Sequence, residues 1–183
     1  EPNSVFLEIF FKSIKLKKYK SPLIIIASEK LVKEQMKKLG FFFEINIISK
    51  NYNKSKKLSK NKINLIDVKY KFNNCFEKIS YKSNDYIKES FKVALKILIQ
   101  NRFSKFINGP ISKKHFLKGR SLGITEYLAK KTNKNNNVAM LIYNKKLSVS
   151  PITTHLALKN VNKHVSKKKI YTHIKLITEF YKK

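Results

Sequence analysis

The sequence contains little cysteine, little acid and almost no arginine. Its 183 residues include one cysteine, Cys75, so no disulfide can form within the chain, and a reducing compartment such as the cytoplasm is expected. There are 11 acidic residues against 41 Lys and Arg, which gives a formal net charge of +30. Arginine occurs only as Arg102 and Arg120, so nearly all of the positive charge is lysine.

Several motif-defined classes of protein are also excluded. No stretch approaches the roughly 18 consecutive apolar residues of a membrane-spanning helix, so no contact with a membrane is predicted. The sequence has no Gly-x-Gly-x-x-Gly, no Walker loop, no Gly-x-Ser-x-Gly and no His/Cys cluster with metal-ligand spacing. Any catalytic or binding site must therefore be formed by residues outside these motifs.

The high positive charge has two interpretations. A polyanion partner, above all a nucleic acid, would account for it. Compositional drift in an A/T-rich genome, whose codons favour Lys, Asn and Ile, would account for it as well. The run 133–137, made of Asn and Lys, is an example of this composition. Nucleic-acid binders more often use Arg for bidentate contacts, and the lysines here are spread along the whole chain. We therefore interpret the charge as drift, and nucleic-acid binding remains the alternative.

The apolar residues predict an α/β fold. Hydrophobic residues make up 42% of the chain, enough for a core. Leu23–Ala27 is a continuous apolar run of strand length, typical of a strand buried on both faces of a parallel sheet. Ser28 is placed to cap a helix that Gly40 ends, and a second strand is predicted at Phe42–Ile48. Strand, helix and strand in succession form a β-α-β unit.

Further elements follow from periodicity and turn signals. A long amphipathic helix is predicted to begin with Asn84 as its cap and to end at about Phe103, and a closing helix is predicted over residues 166–181. An opening helix is predicted over residues 4–17, with Ser4 as its cap. Shorter strands are predicted at Ile63–Val68, Lys105–Asn108, Val138–Tyr143 and Leu147–Thr153.

Three segments lie at predicted strand ends or helix starts, where ligands of open α/β sheets bind. In Gly109–Lys113, Ser112 can cap the next helix and Lys113 can contact a phosphate. Thr125 is a helix-cap residue in front of exposed N–H groups. His155 directly follows a predicted strand and is a possible ligand for a divalent metal. The first two segments also fit structural roles, namely an ordinary turn and a plain N-cap. For His155, no other His, Cys or carboxylate lies at ligand spacing, and a metal site needs three or four ligands.

Taken in order, these segments resemble the 4-hydroxythreonine-4-phosphate dehydrogenase family of pyridoxal phosphate (vitamin B6) biosynthesis. The family patterns are Pro-Ile-Asn-Lys, Gly-His-Thr-Glu and Thr-Thr-His-Leu. They correspond to Pro110–Lys113, Gly123–Glu126 and Thr153–Leu156. The opening Glu1-Pro2-Asn3-Ser4 is similar to the family's Gly-(Asp/Glu)-Pro-Ala start.

The resemblance implies an isocitrate/isopropylmalate-dehydrogenase-like α/β/α fold. Residues 1–132 would form the first lobe and residues 133–183 the start of a truncated second lobe. It further implies a homodimeric oxidoreductase that uses NAD and a divalent metal of the Zn, Mg or Co class. The substrate would be the phosphorylated hydroxy-amino acid 4-phosphooxy-L-threonine, which is oxidised and decarboxylated.

The same resemblance assigns roles to single residues. His155 would be one of three metal-binding histidines, and Thr125 would contact substrate. The family histidine before that threonine is Ile124 here, so one substrate contact is lost. The other two metal ligands and most of the NAD site would lie beyond Lys183. We therefore expect the chain to be inactive alone, and a catalytically dead homologue that binds a phosphorylated metabolite or a partner is the alternative.

If the charge is drift, nucleic-acid binding should be weak and sensitive to salt. We expect binding of a labelled DNA duplex at low salt that is lost near 0.15 M NaCl and shows no sequence preference. Fluorescence anisotropy against salt concentration measures this. A Kd below about 1 µM at 0.15 M NaCl would favour the nucleic-acid alternative.

Overall fold

The protein divides into two compact units, Glu1–Lys118 and Gly119–Lys183. The structure is a computed structural model that describes residues 1–17, 19–53, 57–101, 105–118, 121, 123–134 and 137–182. No helix among these residues is long and apolar enough to cross a membrane. The lobe boundary predicted at 132/133 belongs to the implied two-lobe architecture and stays a prediction.

A three-stranded parallel sheet forms the centre of the first unit. Its strands are β1 (Ile24–Ala27), β2 (Ile45–Ile47) and β3 (Ile63–Asp67). The spatial order is β1-β3-β2, and both outer strands pair with β3 in parallel. The continuous apolar run of β1 predicted a parallel sheet, and the α/β fold class is confirmed.

Helices cover both faces of this sheet. On one face, α1 (Phe6–Leu16) and α2 (Glu29–Lys38) pack on side chains that include Ile25 and Leu65. On the other face, α3 (Asn84–Asn101) packs on Ile66. Successive residues of a strand point to opposite faces, which is why Leu65 and Ile66 lie in different core clusters. The first unit is thus a three-layer α/β/α sandwich.

The local signals for the helices in the first unit are mostly confirmed. The Ser28 hydroxyl accepts a hydrogen bond from the Leu31 N–H at 3.4 Å and caps α2. The helix α3 begins at Asn84, but the prediction that Asn84 caps it is wrong, because its side chain donates to the His115 carbonyl at 3.0 Å. Phe103, where the end of α3 was predicted, lies outside the described residues. The prediction that Ser4 is the N-cap of α1 is wrong, because Val5 occupies that position. The Ser4 hydroxyl instead accepts a hydrogen bond from the Phe6 N–H at 3.3 Å.

A polar side chain, Asn64, is buried within the central strand. It is 1% exposed, yet both ends of its amide are paired. The Oδ1 atom accepts from Asn46 Nδ2 and from the Ser59 N–H, each at 2.9 Å. The Nδ2 atom donates to the carbonyl oxygens of Ser59 at 2.8 Å and Leu23 at 3.2 Å. A buried amide is tolerated when its hydrogen bonds are satisfied in this way.

Three of the predicted short strands differ from the structure. Residues 105–108 are exposed and belong to no strand. The strands predicted at 138–143 and 147–153 reduce to one antiparallel bridge between Ile142 and Val149. Isolated strands are not stable without neighbours that bury one face, and both residues of this bridge are exposed.

The second unit has little core of its own. Its α-helices are α4 (Ile124–Lys131) and α5 (Lys167–Tyr181). The helix α5 is the predicted closing helix, and the Ser166 hydroxyl caps it. Among its described residues, only Gly123 and Ala129 are buried. The helix α5 is amphipathic but has no buried residue. Most hydrophobic burial in the described chain therefore lies in the first unit.

Tyr86 joins the sheet to α3. Its hydroxyl accepts a hydrogen bond from the Ser28 N–H at 3.2 Å, and its ring lies 4.9 Å from that of Tyr70. Burial raises the pKa of Tyr86 to about 12, because the phenolate would lose its hydration.

Phe11 should contribute strongly to the stability of the first unit. Its side chain is 0% exposed and its ring packs near Phe10, Phe41 and Phe43. We expect Phe11→Ala to lower the free energy of unfolding by about 3–5 kcal/mol because it leaves a cavity. The matched control is Phe42→Ala, since Phe42 is 89% exposed. Its effect in urea titrations should stay within about 0.5 kcal/mol, and equal effects would contradict the packing described.

The phenol of Tyr86 should make stability fall at alkaline pH. The folded protein holds this proton up to pH about 12, whereas an exposed tyrosine releases it near 10.0. The contribution is therefore complete below pH 10 and lost as the pH rises through 12. The loss is about 2–3 kcal/mol. Urea titrations between pH 9 and pH 12 give the free energy of unfolding of wild type and of Tyr86→Phe, and this free energy should fall more steeply with pH in wild type. The exposed Tyr81→Phe is the control. Parallel pH dependence of wild type and Tyr86→Phe would disprove the prediction.

Candidate functional site

At the carboxyl edge of the first unit's sheet, a side-chain carboxylate connects the end of β3 to the start of α2. Asp67, the last residue of β3, accepts a hydrogen bond from the Glu29 N–H at 2.9 Å. This N–H belongs to the first turn of α2, whose amide groups lack partners within the helix. The interaction places the end of β3 beside the start of α2. In open parallel sheets this is the edge where ligands bind.

An open cleft of about 550 Å³ lies at this edge. Two of its carboxylates are already engaged: Asp67 as described, and Glu77 with the N–H groups of Asn73 and Asn74 at 2.7 and 3.1 Å. Those backbone hydrogen bonds lower the pKa of Glu77. The lining also contains the lysines Lys30, Lys69, Lys71 and Lys82. The third carboxylate of the lining, Glu29, pairs with Lys33 at 2.6 Å, so an anionic group would meet ammonium ions here.

The Gly109–Lys113 segment lies in the first unit and leads into a short helical turn. A β-carbon on Gly109 would lie 2.5 Å from the Phe6 ring, so this position has no room for a side chain. Ser112 caps the following turn, as predicted, by accepting a hydrogen bond from the His115 N–H. That turn is a single π-helical turn over Lys113–Leu117, not a longer helix. Lys113 is exposed at its start.

In the second unit, the Gly-x-Thr-Glu segment forms the start of α4. The N-cap is Gly123, whose carbonyl accepts a hydrogen bond from the Tyr127 N–H at 3.1 Å. The prediction of Thr125 as a cap is therefore wrong: this residue lies inside the first turn. Thr125 is exposed and Ile124 is half-buried. The Thr125 hydroxyl is thus available to a ligand, while position 124 offers no polar group.

His155 has an unusual backbone conformation. Its φ angle is +56°, in the left-handed region that non-glycine residues rarely adopt. No strand precedes it, so the prediction that it emerges from a strand end is wrong. The imidazole is exposed, and within the described part of the chain it makes no hydrogen bond. Strained backbone conformations of this kind cluster at functional sites.

The structure brings the start of α4 and the Thr154–His155 turn together. A β-carbon on Gly123 would lie 2.8 Å from Glu126 Oε2 and 3.8 Å from His155 Nε2. On the other side of the same carboxylate, the Thr154 hydroxyl donates to Glu126 Oε1 at 3.5 Å. We call this group, formed by Gly123, Glu126, Thr154 and His155, the α4 cluster. The remaining candidate segment, Gly109–Lys113, belongs to the first unit.

The α4 cluster fits part of a metal site. An exposed imidazole without a protein hydrogen bond is a suitable ligand for a divalent ion, and a carboxylate lies beside it. Across the residues that the structure describes, no group of three or more His, Cys, Asp or Glu could hold a metal. A metal bound at His155 would therefore need further ligands from elsewhere.

Sequence patterns drew attention to His155 and Thr125 but not to Glu126 or Asp67. An acidic residue in the first turn of a helix is usually explained by the helix dipole. The sequence therefore provided no reason to expect a contact between Glu126 and Thr154. Asp67 could have been noticed as a carboxylate at the end of a predicted strand. Both signals depend on knowing where an element ends.

Comparisons with known proteins give consistent matches. The family described as "Pyridoxal phosphate biosynthetic protein PdxA" matches residues 18–183. The 4-hydroxythreonine-4-phosphate dehydrogenase of Sulfurihydrogenibium sp. (strain YO3AOP1) is 30% identical over 185 residues, covering 100% of this chain and 56% of that protein. The crystal structure of 4-hydroxythreonine-4-phosphate dehydrogenase from Klebsiella pneumoniae matches with a TM-score of 0.76 at 21% identity. It covers 99% of this chain and 56% of that one.

The chain spans 56% of the length of these relatives. The structural match supports the parallel α/β fold, and the family match extends over residues 18–183, which include both the carboxyl-edge cleft and the α4 cluster. By that match, this chain belongs to the PdxA family of pyridoxal phosphate biosynthetic proteins.

Proposed function

We propose that this chain is part of a 4-hydroxythreonine-4-phosphate dehydrogenase that oxidises 4-phosphooxy-L-threonine with NAD in vitamin B6 biosynthesis. The observation that supports it best is the α4 cluster, which puts His155 beside the helix turn that carries Thr125. Both positions match motifs of the family. The homodimer and the cytoplasmic location are part of the same proposal and rest on the family resemblance.

In this proposal the chain's own residues bind and orient the substrate. The exposed Thr125 hydroxyl donates to or accepts from a polar group of the substrate. The exposed ammonium of Lys113 is a candidate partner for the substrate phosphate. His155 holds a divalent metal through its imidazole. When bound, that metal supplies Lewis-acid polarisation of the substrate oxygen.

NAD is the acceptor in the proposed oxidation. The substrate alcohol carbon loses a hydride, its hydroxyl loses a proton, and the resulting keto acid loses carbon dioxide. The described residues provide one matched metal ligand and no cluster of three, so these 183 residues should not turn over alone.

A second candidate is a homologue without catalysis that binds a phosphorylated metabolite or a partner. Ile124 favours it, because this half-buried side chain cannot form the hydrogen bond of the family histidine. The two candidates differ in whether a completed chain oxidises substrate.

The test joins the 183 residues to the stretch of the Sulfurihydrogenibium relative that they do not match. With 4-phosphooxy-L-threonine, NAD and Zn²⁺ or Mg²⁺, we expect NADH from the joined protein and none from the chain alone. We expect His155→Ala to reduce turnover by about 100-fold or more, since a metal ligand is lost.

Two variants complete this experiment. His164→Ala is the matched control, because His164 is exposed in the same unit and its ring bonds only the neighbouring Asn160 carbonyl among described residues. Ile124→His should raise turnover if a substrate contact was lost. A joined protein that folds by circular dichroism, yet gives no NADH with Ile124→His, would support the non-catalytic homologue instead.

A further inference from the structure

We propose that Glu126 is a positioning residue for His155: its carboxylate links the start of α4 to the Thr154–His155 turn and so holds the imidazole against Gly123. This inference rests on the proposed function for its purpose, since it concerns the imidazole that would bind the metal. Its geometry stands independently, on the contacts of the α4 cluster.

The first argument is that the carboxylate touches both segments. Glu126 Oε1 accepts a hydrogen bond from the Thr154 hydroxyl at 3.5 Å. Glu126 Oε2 occupies the space beside Gly123 that a β-carbon would need, 2.8 Å from that point. Gly123 is buried, so the carboxylate lies against backbone here. A single side chain thus spans the distance between the N-cap of α4 and the Thr154–His155 turn.

The second argument is that the conformation of His155 needs an external constraint. A left-handed φ of +56° costs a residue with a β-carbon about 1–2 kcal/mol. Such a conformation persists only when the surroundings hold it. His155 is exposed and its ring makes no hydrogen bond among described residues, so its own side chain does not supply the constraint. The constraint that we infer is the hydrogen bond of the neighbouring Thr154 hydroxyl to Glu126.

The third argument is chemical. Ligand residues are commonly oriented by partners that do not touch the metal, and loss of such a partner typically weakens metal binding about 10–100-fold. Glu126 has this relation to His155, through Thr154 and the backbone. A direct ligand role for the carboxylate is the competing explanation, and the charge-free variant Glu126→Gln separates the two. Glutamine keeps an oxygen that accepts from Thr154 but is a poor metal ligand.

The experiment uses the 183-residue chain in two measurements. In the metal-free protein, nuclear Overhauser contacts between the Gly123 α-protons and the His155 ring report the position of the imidazole. In a Mn²⁺ titration, broadening of the His155 ring signals reports the apparent Kd. The variants are Glu126→Ala, Glu126→Gln and Thr154→Val, with Glu179→Ala as control. Glu179 is the other acidic residue of the second unit; it is exposed on α5.

We expect Glu126→Ala and Thr154→Val to lose the Gly123–His155 contact and to weaken Mn²⁺ binding about 10-fold. Glu126→Gln and Glu179→Ala should keep both. Absence of the contact in wild type, or its persistence in Glu126→Ala, would overturn the inference, as would a Glu126→Gln protein that behaves like Glu126→Ala. If the contacts follow the expected pattern but Mn²⁺ never broadens His155, the metal role in the proposed function fails and the positioning role stands.

Discussion

The burial of β3 on both of its faces is the constraint on which the first unit depends. Leu65 and Ile66 are both 0% exposed although they point to opposite sides of the sheet. Covering both sides requires helices above and below, and the parallel pairing with β1 and β2 requires connections that return across the sheet. Because parallel strands share a direction, their carboxyl ends lie at one edge. That edge carries Asp67, the start of α2 and the basic cleft.

Sequence reasoning was accurate where local and tertiary signals agree. The apolar run 23–27, the cap at Ser28 and the start of α3 at Asn84 were all predicted closely, because burial patterns mark these elements and, at Ser28, the side chain also satisfies a backbone N–H group. It failed where apolar residues lack neighbours. The runs at 138–143 and 147–153 are rich in apolar residues like strands, yet the second unit buries too little surface to assemble a sheet from them.

The candidate site shows the same division. The motifs identified Thr125 and His155, but they did not predict that Glu126 contacts Thr154 and lies beside Gly123. Gly123 illustrates the reason: as an N-cap, glycine is merely acceptable. Only the folded chain shows that a carboxylate fills the space of its missing side chain. The left-handed conformation of His155 was likewise beyond prediction, since no local pattern specifies it. The family resemblance thus identified the candidate site residues, and the structure showed the contacts within the α4 cluster.

The paired amide of Asn64 also affects how the sheet assembles. A slip of β3 by one residue would exchange the faces of Asn64 and Leu65 and carry the amide away from Asn46 and Ser59. Each buried amide atom left without a partner costs about 1–3 kcal/mol. Misaligned pairings during folding would therefore dissociate quickly, whereas an all-apolar strand would tolerate them. Asn64 thus selects one pairing register for a strand whose other core residues are isoleucine and leucine.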